Sequence, residues 1–386
     1  MPSRLDPPRV VLSTWGRYRH ATSRTLEAWA RLLPTEGIVP VVTVGGHGPL
    51  SDALRAADVM IRVRPLNVVP SRLWPIPFLY AAGRLAATVR TTGATLLHVN
   101  EHDSQIVAAQ AASWAKVPIL THLRFRPGPE ACRWLFGRGR APRRLFFTSQ
   151  TQMQDSADAI RPLVPEERWR LLPNGLDFSL FGNARAGREN VRQQLGLNDG
   201  TLALGIACAI APRKRVDHFV RLVARLRARG IDARGFVAGR ARSAGDEGLV
   251  ASLQRMAVDE GVGDHVAFLG YVEPLEPLYY AWDLCVSTSE YETFGMTVLE
   301  AMGCSCPVVA YPGGSVVEVV GETAPVVPDA DEDGLLEECA RLAGDADLRR
   351  SLGRRARARA ESMYDIRAGV RRLAAEYREV TGLASG

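Results

Sequence analysis

Short apolar runs recur along this chain, and helix-length segments separate most of them. In the first half the runs are Arg9–Ser13, Val39–Val44, Thr95–Val99, Pro118–Thr121 and Leu145–Thr148. In the second half they are Thr201–Ile210, Gly235–Ala238, His265–Leu269, Leu284–Ser287 and Pro307–Ala310. Apolar residues at helical spacing lie between them, as in 26–33 and 216–229. Strands that alternate with helices predict parallel sheets covered by helices, an α/β fold. The pattern stops and restarts once. Leu171–Asp177 reads as a strand end and a turn, in which Asn174-Gly175 supplies the positive φ values. Residues 182–198 are polar and arginine-rich and are the expected linker. A last helical pattern, with Ile366, Val370, Leu373 and Tyr377, covers 365–380.

A length of 386 residues suits two such domains. Cys132, Cys208, Cys285, Cys304, Cys306 and Cys339 form no C-x-x-C pair. They read as reduced core thiols of a cytosolic protein, not a disulfide frame or a zinc site. The N-terminus has no long apolar stretch of the signal-peptide kind, and no segment approaches a membrane span. The formal charge is +6, and Lys116 and Lys214 are the only lysines. That bias belongs to a GC-rich genome and weakens any inference from arginine content to nucleic acid. The arginines of 349–359 alternate with alanines at helical spacing, which describes a solvated helix face. A basic surface still suits anionic ligands or anionic lipid.

Residues 289–310 carry the densest chemistry. Glu292 and Glu300 flank a Phe-Gly turn that opens a short helix; Gly303 ends the helix and Pro307 begins an apolar strand. One carboxylate before a helix and one inside it can face a ligand at the helix N-terminus. There the free N–H groups and the dipole favour an anion. A sugar-phosphate offers hydroxyls to the carboxylates and its phosphate to the N–H groups and dipole. Asp329-Ala-Asp331 and Asp345-Ala-Asp347 imitate a metal-binding D-x-D, but each directly precedes a helical pattern, so capping is the expected role and no residue is assigned to a metal.

Together these residues resemble the retaining glycosyltransferases of family 4, the glycosyl transferases group 1. Glu292-Thr-Phe-Gly-Met-Thr-Val-Leu-Glu300 matches that family's E-x7-E signature. Pro307–Ala310, Gly313-Gly314, Glu318, Pro173–Asp177, Phe268–Gly270 and Asp283 match the segments around it. The resemblance implies a GT-B fold, two Rossmann-like parallel-sheet domains facing a central cleft. Residues 1–185 would form the acceptor domain and 186–364 the donor domain, with 365–386 a helix packing back on the first. It also implies sugar transfer from a nucleotide-diphosphate donor, with UDP favoured over GDP, and no cofactor besides that co-substrate.

Glu300 would then bind the ribose. Glu292 and the backbone of Phe294, Gly295, Met296 and Thr297 would hold the sugar and phosphate, and Lys214 would face the diphosphate. One departure stands out. The family's arginine, five residues before the lysine, falls on Ala209 here, so Arg213 or Arg215 is left to replace it. His122 is a possible donor contact, whereas His98 reads as a packed core residue. Trp15, Gly16, Arg17 and His20, with His102 and Asp103, are acceptor candidates, since open α/β sheets bind ligands at the carboxyl ends of their strands.

The favoured acceptor is a small polar molecule such as a cyclitol or aminocyclitol. A lipid-linked or polysaccharide acceptor at the inner membrane face is the alternative. Residues 72–90 offer a possible peripheral membrane contact, although Pro75 and Pro77 argue against a long helix at its start. A nicotinamide dehydrogenase lacks support, because no strand runs into G-x-G-x-x-G. A non-catalytic sugar-nucleotide binder remains open because of Ala209.

Overall fold

Each apolar run becomes a strand because a helix on either side can bury it. The computed structural model describes residues 7–382 except 17, 20, 65, 67, 69–74, 182–184 and 242–243. It divides into two compact units, 1–175 with 366–386, and 176–365.

The first unit runs β1 (Arg9–Thr14), α1 (Ala21–Leu32), β2 (Val39–Val44), α2 (Pro49–Ala56), β3 (Met60–Val63), α3 (Ile76–Thr92), β4 (Ala94–Val99), α4 (Gln105–Ala115), β5 (Ile119–Leu123), α5 (Pro129–Phe136), β6 (Arg144–Phe147), α6 (Gln150–Ile160) and β7 (Trp169–Leu171). Its strands form one parallel sheet in the order β3-β2-β1-β4-β5-β6-β7. The second unit runs α7 (Arg185–Gln194), β8 (Leu202–Ala207), α8 (Val216–Ala228), β9 (Ala233–Ala238), α9 (Ala244–Asp259), β10 (Val266–Gly270), α10 (Glu276–Ala281), β11 (Leu284–Ser287), α11 (Met296–Gly303), β12 (Val308–Ala310), α12 (Val316–Val320), α13 (Glu332–Ala343) and α14 (Ala346–Tyr364). Its parallel sheet has the order β10-β9-β8-β11-β12. The last helix, α15 (Ile366–Thr381), packs Ile366, Val370, Leu373 and Tyr377 into the first unit's core beside Trp29 and Leu96.

Three expectations change. The division falls after Gly175, ahead of the expected 185/186 boundary. Most of the arginine-rich stretch meant as a linker is α7, a helix of the second unit. Arg188 donates to Asp283 Oδ1 at 2.6 Å and Arg192 to Oδ2 at 3.0 Å, and the same carboxylate accepts the Ala203 N–H at 2.8 Å. Those arginines are anchors between α7 and the sheet, which composition does not reveal. In addition, α3 is a full helix of 17 residues despite Pro75 and Pro77. The prolines sit at its cap and first turn, where no N–H is needed.

Gly205 of β8 shows how tightly the second sheet is covered. A Cβ there would stand 1.9 Å from the Trp282 ring. Asp331 and Asp345 cap α13 and α14, accepting the N–H groups of Gly334 at 2.9 Å and Leu348 at 2.8 Å.

His122 is a core residue, which corrects its reading as a donor contact. It is wholly buried, between Trp29 at 5.2 Å and His98 at 6.0 Å, with Phe146 at 5.6 Å. His98 shares a 2.5 Å hydrogen bond between Nδ1 and the Tyr377 hydroxyl. Burial, with Arg124 second, holds the His98 imidazole down at about 3 and keeps His122 well below its ordinary value. Both stay neutral in the fold, whereas in the unfolded chain they gain protons below about pH 6.5. Acidification therefore favours unfolding, by up to about 1.4 kcal/mol per pH unit for each histidine. Urea denaturation should show stability falling from about pH 6.5 towards the folded-state values. His122→Phe should flatten that slope, and an unchanged slope would refute the assignment.

Candidate functional site

The second sheet adds strands outward in both directions from β8 and β11. Chains leaving the carboxyl ends of these two strands diverge, and such reversal points leave a crevice that takes ligands. After β8 the chain makes a tight turn over Pro212–Lys214 and passes through left-handed Arg215, φ +47°, into α8. After β11 comes the loop 288–295. Lys214 is only 6% exposed, and its ammonium pairs directly with the Glu292 carboxylate. Ser289 Oγ donates to the same Glu292 oxygen at 2.8 Å. Thr288 Oγ1 reaches the carbonyls of Lys214 and Arg215 at 2.7 and 2.9 Å, and the Glu290 N–H donates to the Arg213 carbonyl at 2.9 Å. The two loops are thus laced together by side chain and backbone.

Gly313 and Gly314, after β12, lock the far side of Glu292. The Ser315 N–H donates to the Glu292 carbonyl at 2.9 Å. A Cβ on Gly314, whose φ is +58°, would lie 2.4 Å from that carbonyl oxygen. Gly295, φ +93°, starts α11. Met296 and Thr297 in its first turn are partly exposed. Phe294 is 3% exposed, and its ring packs edge-on against Tyr364 at 5.5 Å, so its side chain belongs to the core. Glu300 is buried inside α11, with one oxygen 3.3 Å from the Tyr279 hydroxyl of α10.

The two arginines beside Lys214 part company. Arg215 is drawn away to Asp329 at 2.6 Å. Arg213 is exposed and reaches the Tyr291 carbonyl at 3.3 Å, next to Glu292. Lys214, Glu292 and Arg213 all act on the Cys208 thiol beside Ala209, while burial pushes that thiol up to about 12.

In the first unit the matching reversal lies between β1 and β4. Trp15, 40% exposed, and buried Gly16 follow β1, with the Trp15 carbonyl pressed against Gly45. Arg17 and His20 lie outside the described residues. His102 and Asp103 follow β4, 3.7 Å apart, and the His102 ring stacks on Phe125. Burial lowers the His102 pKa against the pull of Asp103 and Glu101.

The polar centre of this end is Arg124, which the sequence reading passed over. Its Nε donates to the Asn100 carbonyl at 3.1 Å and its Nη2 to Asn100 Oδ1 at 2.8 Å. Nη1 donates to Asn174 of the expected Asn-Gly turn, and the guanidinium lies 5.3 Å from the Trp29 ring centre. Burial pulls it down to about 9, with Glu101 opposing. Thr22 Oγ1 donates to Glu101 at 2.7 Å, which ties the start of α1 to the same end. The available signal was a charged residue immediately after an apolar strand.

Gly314→Ala tests the lock on Glu292. It is expected to lower unfolding stability by about 1–3 kcal/mol through overpacking. Urea denaturation measures it, and wild-type stability would show that the loop yields freely.

Residues 201–345 match the model described as Glycosyl transferases group 1. N-acetyl-alpha-D-glucosaminyl L-malate synthase of Bacillus anthracis is 35% identical over 106 residues, 27% of either chain. D-inositol 3-phosphate glycosyltransferase of Stackebrandtia nassauensis is 33% identical over 193 residues, 47% of this chain and 42% of that protein. The match thus spans about a quarter of the first relative and under half of the second. The crystal structure of HepE from Anabaena, in complex with UDP and glucose, superposes with a TM-score of 0.82 at 21% identity, covering 95% of this chain and 98% of that one. The match to the glycosyl transferases group 1 thus lies within the second unit, and the GT-B fold extends along nearly the whole chain.

Proposed function

We propose that the chain transfers a sugar from a nucleotide-diphosphate donor, UDP-linked in preference to GDP-linked, to a hydroxyl of a small polar acceptor with retention at the anomeric carbon. The observation that carries this reading is the Lys214–Glu292 pair at the β8/β11 reversal. As the anomeric carbon–oxygen bond breaks, negative charge grows on the departing diphosphate. The Lys214 ammonium, the Arg213 guanidinium and the N–H groups of the first turn of α11 meet that charge. Glu292, held by Ser289 and the glycine pair, receives the donor's sugar hydroxyls, and Glu300 receives the ribose. The acceptor oxygen then bonds to the anomeric carbon on the face the diphosphate left and gives up its proton to an oxygen of that departing diphosphate. The UDP and glucose bound to HepE support the donor preference. The malate and inositol 3-phosphate in the relatives' names support a small polar acceptor, with a cyclitol or aminocyclitol the preferred kind.

Nucleotide sugars can be screened by thermal shift. A ligand at 100 times its dissociation constant stabilises by about 2.7 kcal/mol, and UDP-sugars should shift the chain more than GDP-sugars. Lys214→Ala should lower kcat by about 100-fold or more, the loss expected when a preorganised stabiliser of developing charge is removed. Arg213→Ala should also be severe, while Arg215→Ala should be mild, because Asp329 already holds that side chain. Kinetics at saturating donor, on variants with wild-type circular dichroism, decide this. Wild-type turnover by Lys214→Ala would move the diphosphate elsewhere. Donor binding with neither hydrolysis nor transfer would leave only a sugar-nucleotide binder. Protein cations and N–H groups suffice for the leaving group in this reading, so EDTA should leave turnover intact.

A further inference from the structure

Residues 59–100 contain no aspartate or glutamate, in a chain that has 42 acidic residues. The fold gathers Arg62, Arg64 and Arg84 of that window around one helix face. On α3, Ala81, Ala82, Leu85, Ala86 and Val89 point into the core. Ile76 is 64% exposed, Leu79 45% and Tyr80 59%. Ile76, Tyr80 and Arg84 follow each other at four-residue spacing and share one outward stripe. Beside it runs β3, the edge strand of the sheet, with Arg62 exposed. Arg64 Nε donates to Thr88 Oγ1 of α3 at 2.9 Å and so ties the strand end to the helix. The titratable groups close enough to act on Arg64 are Arg84, Arg62 and Tyr80, which places these side chains together. On the other flank, Trp114 of α4 is 38% exposed and lies against Gly83 of α3, and its carbonyl accepts from Arg90.

We propose that this face of the first unit docks on an anionic lipid bilayer, with α3 lying in the plane of the surface. Isoleucine, leucine and two aromatic side chains enter the headgroup–acyl boundary, while Arg62 and Arg84 meet lipid phosphates. Apolar residues flanked by cations match what holds an interfacial helix. A second copy of the chain is a poorer occupant, because a two-fold contact through this face would set arginine against arginine. At 17 residues α3 is too short to cross a bilayer upright, and no helix among the described residues is long and apolar enough to do so. This inference goes beyond the proposed transfer reaction and does not depend on its donor or acceptor.

Flotation of the full chain tests it, with vesicles of phosphatidylcholine containing about a third phosphatidylglycerol against pure phosphatidylcholine. Binding is expected on the anionic vesicles and should weaken as salt is raised. Each of Arg62→Gln and Arg84→Gln should weaken it about fivefold. Ile76→Ser combined with Tyr80→Ser should abolish most of the remainder. Arg350→Gln, on the second unit, should change nothing. All these side chains are exposed, and wild-type circular dichroism confirms folding. The proposal is overturned by equal binding to neutral vesicles, by no flotation, or by wild-type binding in the variants. It is also overturned if sedimentation shows a dimer that Leu79→Ser separates.

Discussion

The ion pair between Lys214 and Glu292 is the contact on which the second unit's site depends. Taking two charges out of water is costly, and the pair is recovered only with good geometry and added hydrogen bonds. Ser289 supplies one such bond to the carboxylate, and Thr288 fixes the backbone that carries the lysine through the Lys214 and Arg215 carbonyls. Removing one partner of such a pair leaves an uncompensated charge, which is why the surrounding backbone is so closely specified. Gly313 and Gly314 let a third loop approach Ser289 and Glu292 respectively more closely than any side chain would permit.

The same logic, with different residues, orders the first unit. Arg124 draws the ends of β4 and β5 and the Asn174 turn onto one guanidinium, above a packed stack of Trp29, His98 and His122. The buried histidines make that stack acid-sensitive, and the arginine lends positive potential to its rim. Both units thus place a cation at the carboxyl end of the sheet near the reversal of strand order. In the second unit a carboxylate pairs with it directly; in the first the bonded oxygens of Asn100 and Asn174 are neutral, with Glu101 close by.

Much of the architecture was legible because burial on both faces leaves a strong apolar signature. Val39–Val44 and Leu284–Ser287 match their expected strands residue for residue. β3 escaped notice because an edge strand buries little and its Met-Ile-Arg-Val carries a charge. The arginine-rich helix α7 looked like a linker because its anchoring partner, Asp283, is distant in sequence. His122 looked functional because it stands at a strand's end, but side-chain direction within the sheet turned it into the core and left Arg124 at the rim.

By itself the sequence determined the α/β class, the two sheets, the pairing of Glu292 with Glu300 around a helix start, and the gap at Ala209. These are local facts of periodicity, turn chemistry and spacing. Only tertiary structure decided what the two neighbouring arginines meet: Asp329, far along the chain, claims Arg215, and the Tyr291 carbonyl takes Arg213. It alone also set Arg62 of β3 beside the exposed stripe of α3 that carries Ile76, Tyr80 and Arg84. Distant partners and side-chain direction are set by packing, and no short stretch of sequence encodes them.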